Sequence, residues 1–264
     1  MTPQPAAWRS RTVGIIGYGA IGRVLSDELE AGRDGLTFGG VVGRQAPSAI
    51  RCDSVEQLID RCDVVVEAAG QQAVEQYGRQ VLCANRDLLV LSVGAFAEDR
   101  LLRELESVGR GQLIISTGAI GGIDLLKAAA LSGRLEEVSI TTTKPLATLI
   151  KAGDSDPGHP LDEHGGAVTV FEGSAREVAS RYPASTNVAA TVGLCTLGMD
   201  RVQVRLIADP NADLVSHRLQ ASGHIGTYDF SIINHPSENP RTSLVTPYAA
   251  LRALLDTQAR VVIG

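Results

Sequence analysis

The run Thr12 to Gly22, TVGIIGYGAIG, admits few folds. Apolar Val13, Ile15 and Ile16 lead into Gly17-Tyr18-Gly19-Ala20-Ile21-Gly22, an order that predicts a buried strand, a tight turn and a helix over Arg23 to Ala31. The three glycines have separate tasks. Gly17 lets the chain leave the strand, Gly19 lets the backbone approach a pyrophosphate, and Gly22 lets helix and strand pack closely. The free N–H groups and the positive dipole end of the helix then face the phosphates. Gly17, Gly19, Ala20, Ile21 and Gly22 are therefore the first candidate contacts of a dinucleotide. Glycines also mark ordinary turns, and it is the setting between strand and helix that favours the dinucleotide.

The chain downstream fits the same plan. Leu36 to Val42 reads as a second strand, and Asp53-Ser54 caps a short helix. Asp63 to Gly70 is a third strand with its loop, Gln71 to Cys83 a helix, and Leu88 to Ser92 a fourth strand ending in the turn Ser92 to Ala95. Glu98 to Val108 is helical and Gln112 to Ser116 a fifth strand. This alternation implies βαβ units and a parallel sheet. Right-handed crossovers place the strand ends on one side, where a ligand crevice lies. The turns after these strands add Ala69 and Gly94 to the candidate cofactor contacts. A carboxylate that reads the adenosine ribose usually ends the second strand, but here Gly43-Arg44-Gln45 stands there, with no acid until Asp53. Arg44 could hold a 2′-phosphate, so NADP is admitted beside NAD; the alternative is that it stacks on adenine or lies in solvent.

From Ser116 the pattern changes. STGAIGG is a second glycine-rich turn, opening a helix over Ile123 to Leu131. A strand over Glu137 to Thr143 ends at Lys144-Pro145, and the polar stretch Lys151 to Gly166 has no periodicity. A strand (Ala167 to Phe171), two helices (Ser174 to Tyr182 and about Asn187 to Leu197) and two or three antiparallel-looking strands follow, at Arg201 to Ala208, Leu214 to Ala221 and Thr227 to Ile233. This order suggests a separate α+β domain. The spacing of Thr246 to Asp256 predicts a helix that returns to the first domain. The expected architecture is thus α/β: a Rossmann-type parallel sheet formed by residues 1–115 and 236–264, and an α+β domain of residues 116–235.

The chain has 264 residues, 44% hydrophobic and 20% charged, with a net charge of −6. That balance gives no footprint for nucleic acid or anionic membrane. No apolar run reaches the roughly 18 residues that span a bilayer. The first ten residues lack an apolar signal core, so secretion is not expected, and the cysteine usage fits a reducing cytoplasm. Cys52, Cys62, Cys83 and Cys195 have neither C-x-x-C spacing nor a histidine pattern, so neither a metal site nor a disulfide framework is expected. Cys83 and Cys195 sit in apolar helical patterns and read as core residues. Lysine occurs only at Lys127, Lys144 and Lys151.

GYGAIG, VVEAAG, SVGA, STGAIGG, FEGSARE, YPASTNVAAT, RVQVRLIADP and NPRTSLVT, in this order, resemble the L-aspartate dehydrogenase family. The resemblance runs from Thr12 to about Leu255. It implies a Rossmann domain, a substrate domain that also mediates a homodimer, and NAD(P)-dependent oxidation of L-aspartate to iminosuccinate, which hydrolyses to oxaloacetate and ammonia in a reaction linked to NAD biosynthesis. The family's NAD-contacting alanine and asparagine fall on Ala119 and Asn187, and its catalytic histidine on His217. The family commonly has an asparagine two residues before that histidine and Phe-Gly downstream, where this chain has Val215 and Ile225-Gly226.

The chemistry asks for a group that titrates near neutrality beside the substrate amine, and histidine is the suitable side chain. His159 and His164 lie in the polar stretch, where they could close over substrate or simply meet solvent. His224 and His235 read as structural, and His217 lies on a predicted strand, a rigid mount. A dicarboxylate substrate also needs a cation. Lys144 is the best-placed lysine, with a solvated strand-end lysine as the alternative. Asn187 could cap its helix or hold the nicotinamide carboxamide, and the two roles are compatible. Two other functions share these features: a dehydrogenase or imine reductase acting on another small substrate, and a non-catalytic NAD(P) sensor.

Overall fold

The structure is a computed structural model and describes residues 10–33, 35–152, 165–183, 186–239 and 242–261, with backbone alone at 150–152. The chain divides into two units. The first comprises Met1–Ser92, Leu101–Ser116 and Pro247–Gly264, and the second Val93–Arg100 and Thr117–Thr246.

The first unit is built on β1 (Arg11–Ile16), α1 (Ala20–Glu30), β2 (Leu36–Val42), α2 (Val55–Arg61), β3 (Val64–Glu67), α3 (Gln71–Cys83), β4 (Asp87–Val90), all but the first two residues of α4 (Asp99–Glu106), and β5 (Leu113–Ile115). Its five strands run in the order β2-β1-β3-β4-β5, and every pairing is parallel. Val13, Ile15, Val64, Val65, Val66 and Leu89 are fully buried, as a sheet covered on both faces requires. The order reverses between β1 and β3, and in open parallel sheets the ligand crevice lies at such a switch point, beyond the carboxyl ends of the strands. α1 begins at Ala20, three residues before the predicted start, because the turn closes within Gly17-Tyr18-Gly19. Ser54 caps α2 by accepting the Gln57 N–H at 3.2 Å.

The second unit holds α5 (Ile123–Leu131), β6 (Leu135–Pro145), α6 (Leu146–Ala152), β7 (Val168–Ser174), α7 (Ala175–Arg181), α8 (Asn187–Cys195), β8 (Gln203–Asp209), β9 (Val215–Gly223) and β10 (Gly226–Asn234). Its sheet has the order β10-β9-β6-β8-β7. The strands predicted as antiparallel form a mixed sheet, because the central pair β6–β8 is parallel. A parallel pair needs a long crossover, and α6 to α8 supply it. Ser174 and Glu177 form a reciprocal capping box at the start of α7. The final helix, α9 (Val245–Asp256), buries Ala250, Leu251 and Leu254 in the core of the first unit with Val13, Ile15, Leu25 and Val41.

Four expectations are corrected. Val93–Arg100, placed in the first domain from sequence, belongs to the second unit. There it starts with a 3-10 turn over Val93–Ala97 whose Val93, Gly94, Ala95 and Phe96 are all buried. The boundary expected at 236 falls at Pro247. Cys83 is exposed at the last position of α3, and Cys195 is half-buried; the buried cysteines are Cys52 and Cys62. Burial pushes the Cys62 thiol up to about 12, so it is a packing residue. Lys151 and Ala152, read as part of the polar loop, end α6. His159 and His164 lie outside the described residues.

Candidate active site

The candidate residues divide between the two units. In the first, Gly17 has a φ of 106° and donates its N–H to the Val42 carbonyl at 2.8 Å. A Cβ there would stand 2.7 Å from the Ala68 carbonyl group, and one at Gly22 would overlap the Gly17 carbonyl oxygen. At Gly19 a Cβ would meet nothing within 4 Å. The loop is thus packed tightly on the protein side and open at Gly19, and α1 begins at Ala20 with no side-chain cap on its N–H groups. That arrangement fits a pyrophosphate: Ala20, Ile21 and Gly22 offer uncapped N–H donors at a helix N-terminus, and Gly19 leaves the approach clear.

Glu67, which sequence reasoning passed over, organises two neighbouring loops. It ends β3 with 1% exposure and accepts hydrogen bonds from the N–H groups of Ala69 (2.8 Å), Gly70 (2.7 Å) and Ser92 (3.0 Å), and from the Ser92 hydroxyl (3.0 Å). Burial pushes its pKa up, and the four donors oppose that shift. The Ala69 N–H is therefore already engaged, and this candidate contact reduces to its carbonyl and methyl groups. The signal was a lone carboxylate at the end of an apolar strand, DVVVEAAG.

Arg44 is exposed just past β2. Gly43 brings that end of the strand onto the glycine loop, where a Cβ would stand 2.7 Å from the Tyr18 Cβ. Replacing Arg44 with Ala is expected to weaken NADP by about 10- to 100-fold, the worth of one or two hydrogen bonds to a charged group, with little change for NAD. Titrations with both cofactors check this; equal losses would remove the 2′-phosphate from the reading.

In the second unit one face of the sheet is apolar along most of its length, with Val138 and Ile140 on β6, Leu219 and Ala221 on β9, and Val204 and Leu206 on β8. Toward one end the same face turns polar. Thr142 and Lys144 continue the β6 row at 6% and 4% exposure, and His217 continues the β9 row at 5%. Thr142 and His217 are register partners, and their side chains meet, Oγ1 to Nδ1, at 2.9 Å. Burial and the Lys144 ammonium lower the His217 pKa to about 4, so the ring is neutral at neutral pH. Lys144 is buried, which excludes the solvated strand-end lysine.

β10 connects the second glycine-rich turn to this face. Asn234 donates from Nδ2 to the Ala119 carbonyl at 3.1 Å, and a Cβ at Gly122 would stand 2.7 Å from the Phe230 ring. Phe230, Ile232 and Asn234 alternate along one side of β10, with Ile232 opposite His217 and Asn234 opposite Val215. The sequence reading missed Asn234. Asn187 is the first residue of α8; the cap position is Thr186, so the N-cap alternative for Asn187 is withdrawn. Its Oδ1 accepts the Gly94 N–H at 3.0 Å. That bond fixes the amide orientation, with Oδ1 on the Gly94 N–H and Nδ2 as the donor end. Arg176, the arginine of FEGSARE, holds the far end of the same loop: it donates to the Ala97 carbonyl, to Asp99 at 2.8 Å and to both oxygens of Asp200 at 2.6 and 3.0 Å.

His224 and His235 are both exposed, with His224 3.6 Å from Glu136. Among the described residues, no group of three or more His, Cys, Asp or Glu side chains is placed to hold a metal ion. Nor is any of their helices long and apolar enough to cross a membrane.

Known proteins are similar to this chain in sequence and fold. A family described as aspartate dehydrogenase, C-terminal, matches residues 124–257, and the homoserine dehydrogenase NAD binding domain matches residues 17–111. The L-aspartate dehydrogenase of Methanocaldococcus jannaschii is 36% identical, over 96% of this chain and 98% of its own. That of Pseudomonas aeruginosa is 37% identical, over 91% and 95%. A crystal structure of aspartate dehydrogenase from Thermotoga maritima is similar with a TM-score of 0.76 and 32% identity, covering 96% of this chain and 99% of that one. A hyperthermophilic archaeal homoserine dehydrogenase solved with NADPH shares the fold alone, at 11% identity and a TM-score of 0.57. With relatives well above 30% identity along nearly its full length, this chain belongs to the L-aspartate dehydrogenase family.

Proposed function

We propose that the protein catalyses the reversible NAD(P)-dependent oxidation of L-aspartate to iminosuccinate, with hydrolysis to oxaloacetate and ammonia. The observation that carries this reading is the polar end of the second-unit sheet, where a buried, neutral His217, a buried Lys144 and Thr142 end an apolar face. A bound nicotinamide cofactor supplies the hydride acceptor for Cα. Within the first unit the Gly17–Gly22 loop would hold a pyrophosphate, and within the second Asn187 Nδ2 and the Ala119 turn would hold a nicotinamide carboxamide. Lys144 receives a substrate carboxylate, and His217 takes the proton that the amine, or the water attacking the imine, must lose.

Electrostatics link the two substrate-binding residues. A free-site histidine near 4 is a weak base, held there by burial and by Lys144. A dicarboxylate brings negative charge beside the ammonium and offsets its field, which raises the His217 pKa when substrate binds. Binding thus makes the histidine a better base. The same reading includes a homodimer through the second unit, whose edge strand β10 leaves Ile233 65% exposed, and a cytoplasmic setting, in keeping with four unbridged cysteines.

The test is formation of reduced nicotinamide, followed by its absorbance, across a panel of amino and hydroxy acids with each cofactor. L-Aspartate is expected to give the highest kcat/KM. Preference for another substrate would transfer the function to a different small molecule, with Val215 as the first residue to examine. Cofactor binding without turnover of any of them would favour a sensor.

A further inference from the structure

Thr142 carries a hydroxyl onto a face that is apolar over most of its length, and its one described hydrogen bond goes to His217 Nδ1. Sheet register fixes the contact, since Thr142 and His217 are directly opposed on β6 and β9. Threonine is stiff at χ1, so the hydroxyl is held in place by backbone geometry. We propose that Thr142 is the positioning residue that keeps a proton on Nδ1 of His217, leaving Nε2 to exchange a proton with substrate. The inference rests on His217 being the acid–base group.

A neutral imidazole has one proton for two nitrogens, and a ring that accepts a proton at Nε2 must carry its own on Nδ1. The imidazolium formed by that transfer still has N–H at Nδ1. A hydroxyl oxygen facing Nδ1 accepts this N–H before and after the transfer, so no neighbouring bond must be remade. In hydrolase triads a carboxylate fills this place and stabilises the charged ring. Threonine orients the ring without adding a negative charge. That suits a histidine whose basicity is set by burial first, and then by Lys144 and the charge of the bound substrate.

The experiment compares Thr142→Val, which keeps the shape and loses the hydroxyl, with Thr142→Ser, which keeps the hydroxyl. The readouts are kcat, KM for cofactor and the ¹⁵N NMR signature of the imidazole, with His217 assigned by its loss in His217→Asn. The wild-type ring is expected to show a protonated Nδ1 and an unprotonated Nε2. In Thr142→Val the tautomer should shift toward Nε2–H and kcat should fall about 10- to 100-fold, the cost of leaving a buried donor unpaired, with KM for cofactor little changed. Thr142→Ser should retain both the tautomer and most of kcat. A wild-type ring protonated at Nε2, or a Thr142→Val enzyme with kcat within twofold of wild type, overturns the inference. If Thr142→Val does not fold, the wild-type tautomer and the serine variant still decide. Full activity in His217→Asn would remove His217 as the acid–base group, and this inference with it. Loss in His217→Asn with none in Thr142→Val would bring down this one alone.

Discussion

Replacing His217 with Ala or Asn is expected to lower kcat by about 10²–10⁴-fold, the usual contribution of a positioned acid–base group. Binding of the reduced cofactor, followed by its fluorescence, should stay nearly unchanged, because the loop of Gly17–Gly22 and the amide of Asn187 do not depend on the imidazole. The loss should appear in kcat, since the proton must leave the substrate amine or the attacking water whichever substrate concentration is used. His217 is 5% exposed and fills part of the β9 row, so the Asn variant, which retains a polar group near Thr142, is the better probe. Circular dichroism establishes that each variant is folded before kinetics are compared. A folded variant losing less than tenfold in kcat would end the assignment, and His164 would become the next residue to replace.

The same histidine makes stability depend on pH. In the unfolded chain His217 titrates near its ordinary 6.5, whereas in the fold it stays neutral down to about 4. Between those values the unfolded chain binds a proton that the folded chain does not, so stability falls as pH falls. The contribution is complete above about 6.5 and is lost progressively down to about 4. The shift corresponds to about 3 kcal/mol at the lower end. Carboxylates also titrate in that window, so the comparison has to be a difference. Wild type should lose about 3 kcal/mol more than His217→Asn between pH 7 and pH 4 in denaturant titrations of the cofactor-free protein. Parallel curves for the two proteins would show that the imidazole is more easily protonated in the fold than its burial implies.

Local chemistry was enough to write much of this protein from its sequence. The glycine run dictated strand, turn and helix, because the close approaches at Gly17 and Gly22 leave no room for a side chain. The buried runs of β1, β3 and β4 and the helices between them dictated a parallel sheet. Ser54 and Ser174 marked their helix starts because a side-chain oxygen there meets an unpaired N–H. His217 fell on the strand expected over Leu214 to Ala221, and the strand is there as Val215–Gly223.

What the sequence left open lies in pairings between distant residues. Periodicity says which face a side chain takes, but not which strand lies beside it. Thr142 and His217 are 75 residues apart, and only the β6–β9 register makes them neighbours. The parallel β6–β8 pair likewise depends on how α6 to α8 cross over. Lys144 reads as a strand-end lysine until the sheet is assembled and its alternation carries it onto the buried face. Glu67 finds Ser92 only when β3 and β4 pair, and Asn187 finds Gly94 only because Val93–Arg100 packs with the second unit. Cys83 follows the opposite course: its apolar surroundings in the sequence suggest a core position, yet helical periodicity puts it on the face opposite Val74, Gly78, Val81 and Leu82, the buried residues of α3, and it stays exposed. Local propensity acts over a few residues, so it sets the elements and their faces. Which polar groups meet on a face follows from strand register and crossover, and those exist only once the chain has folded.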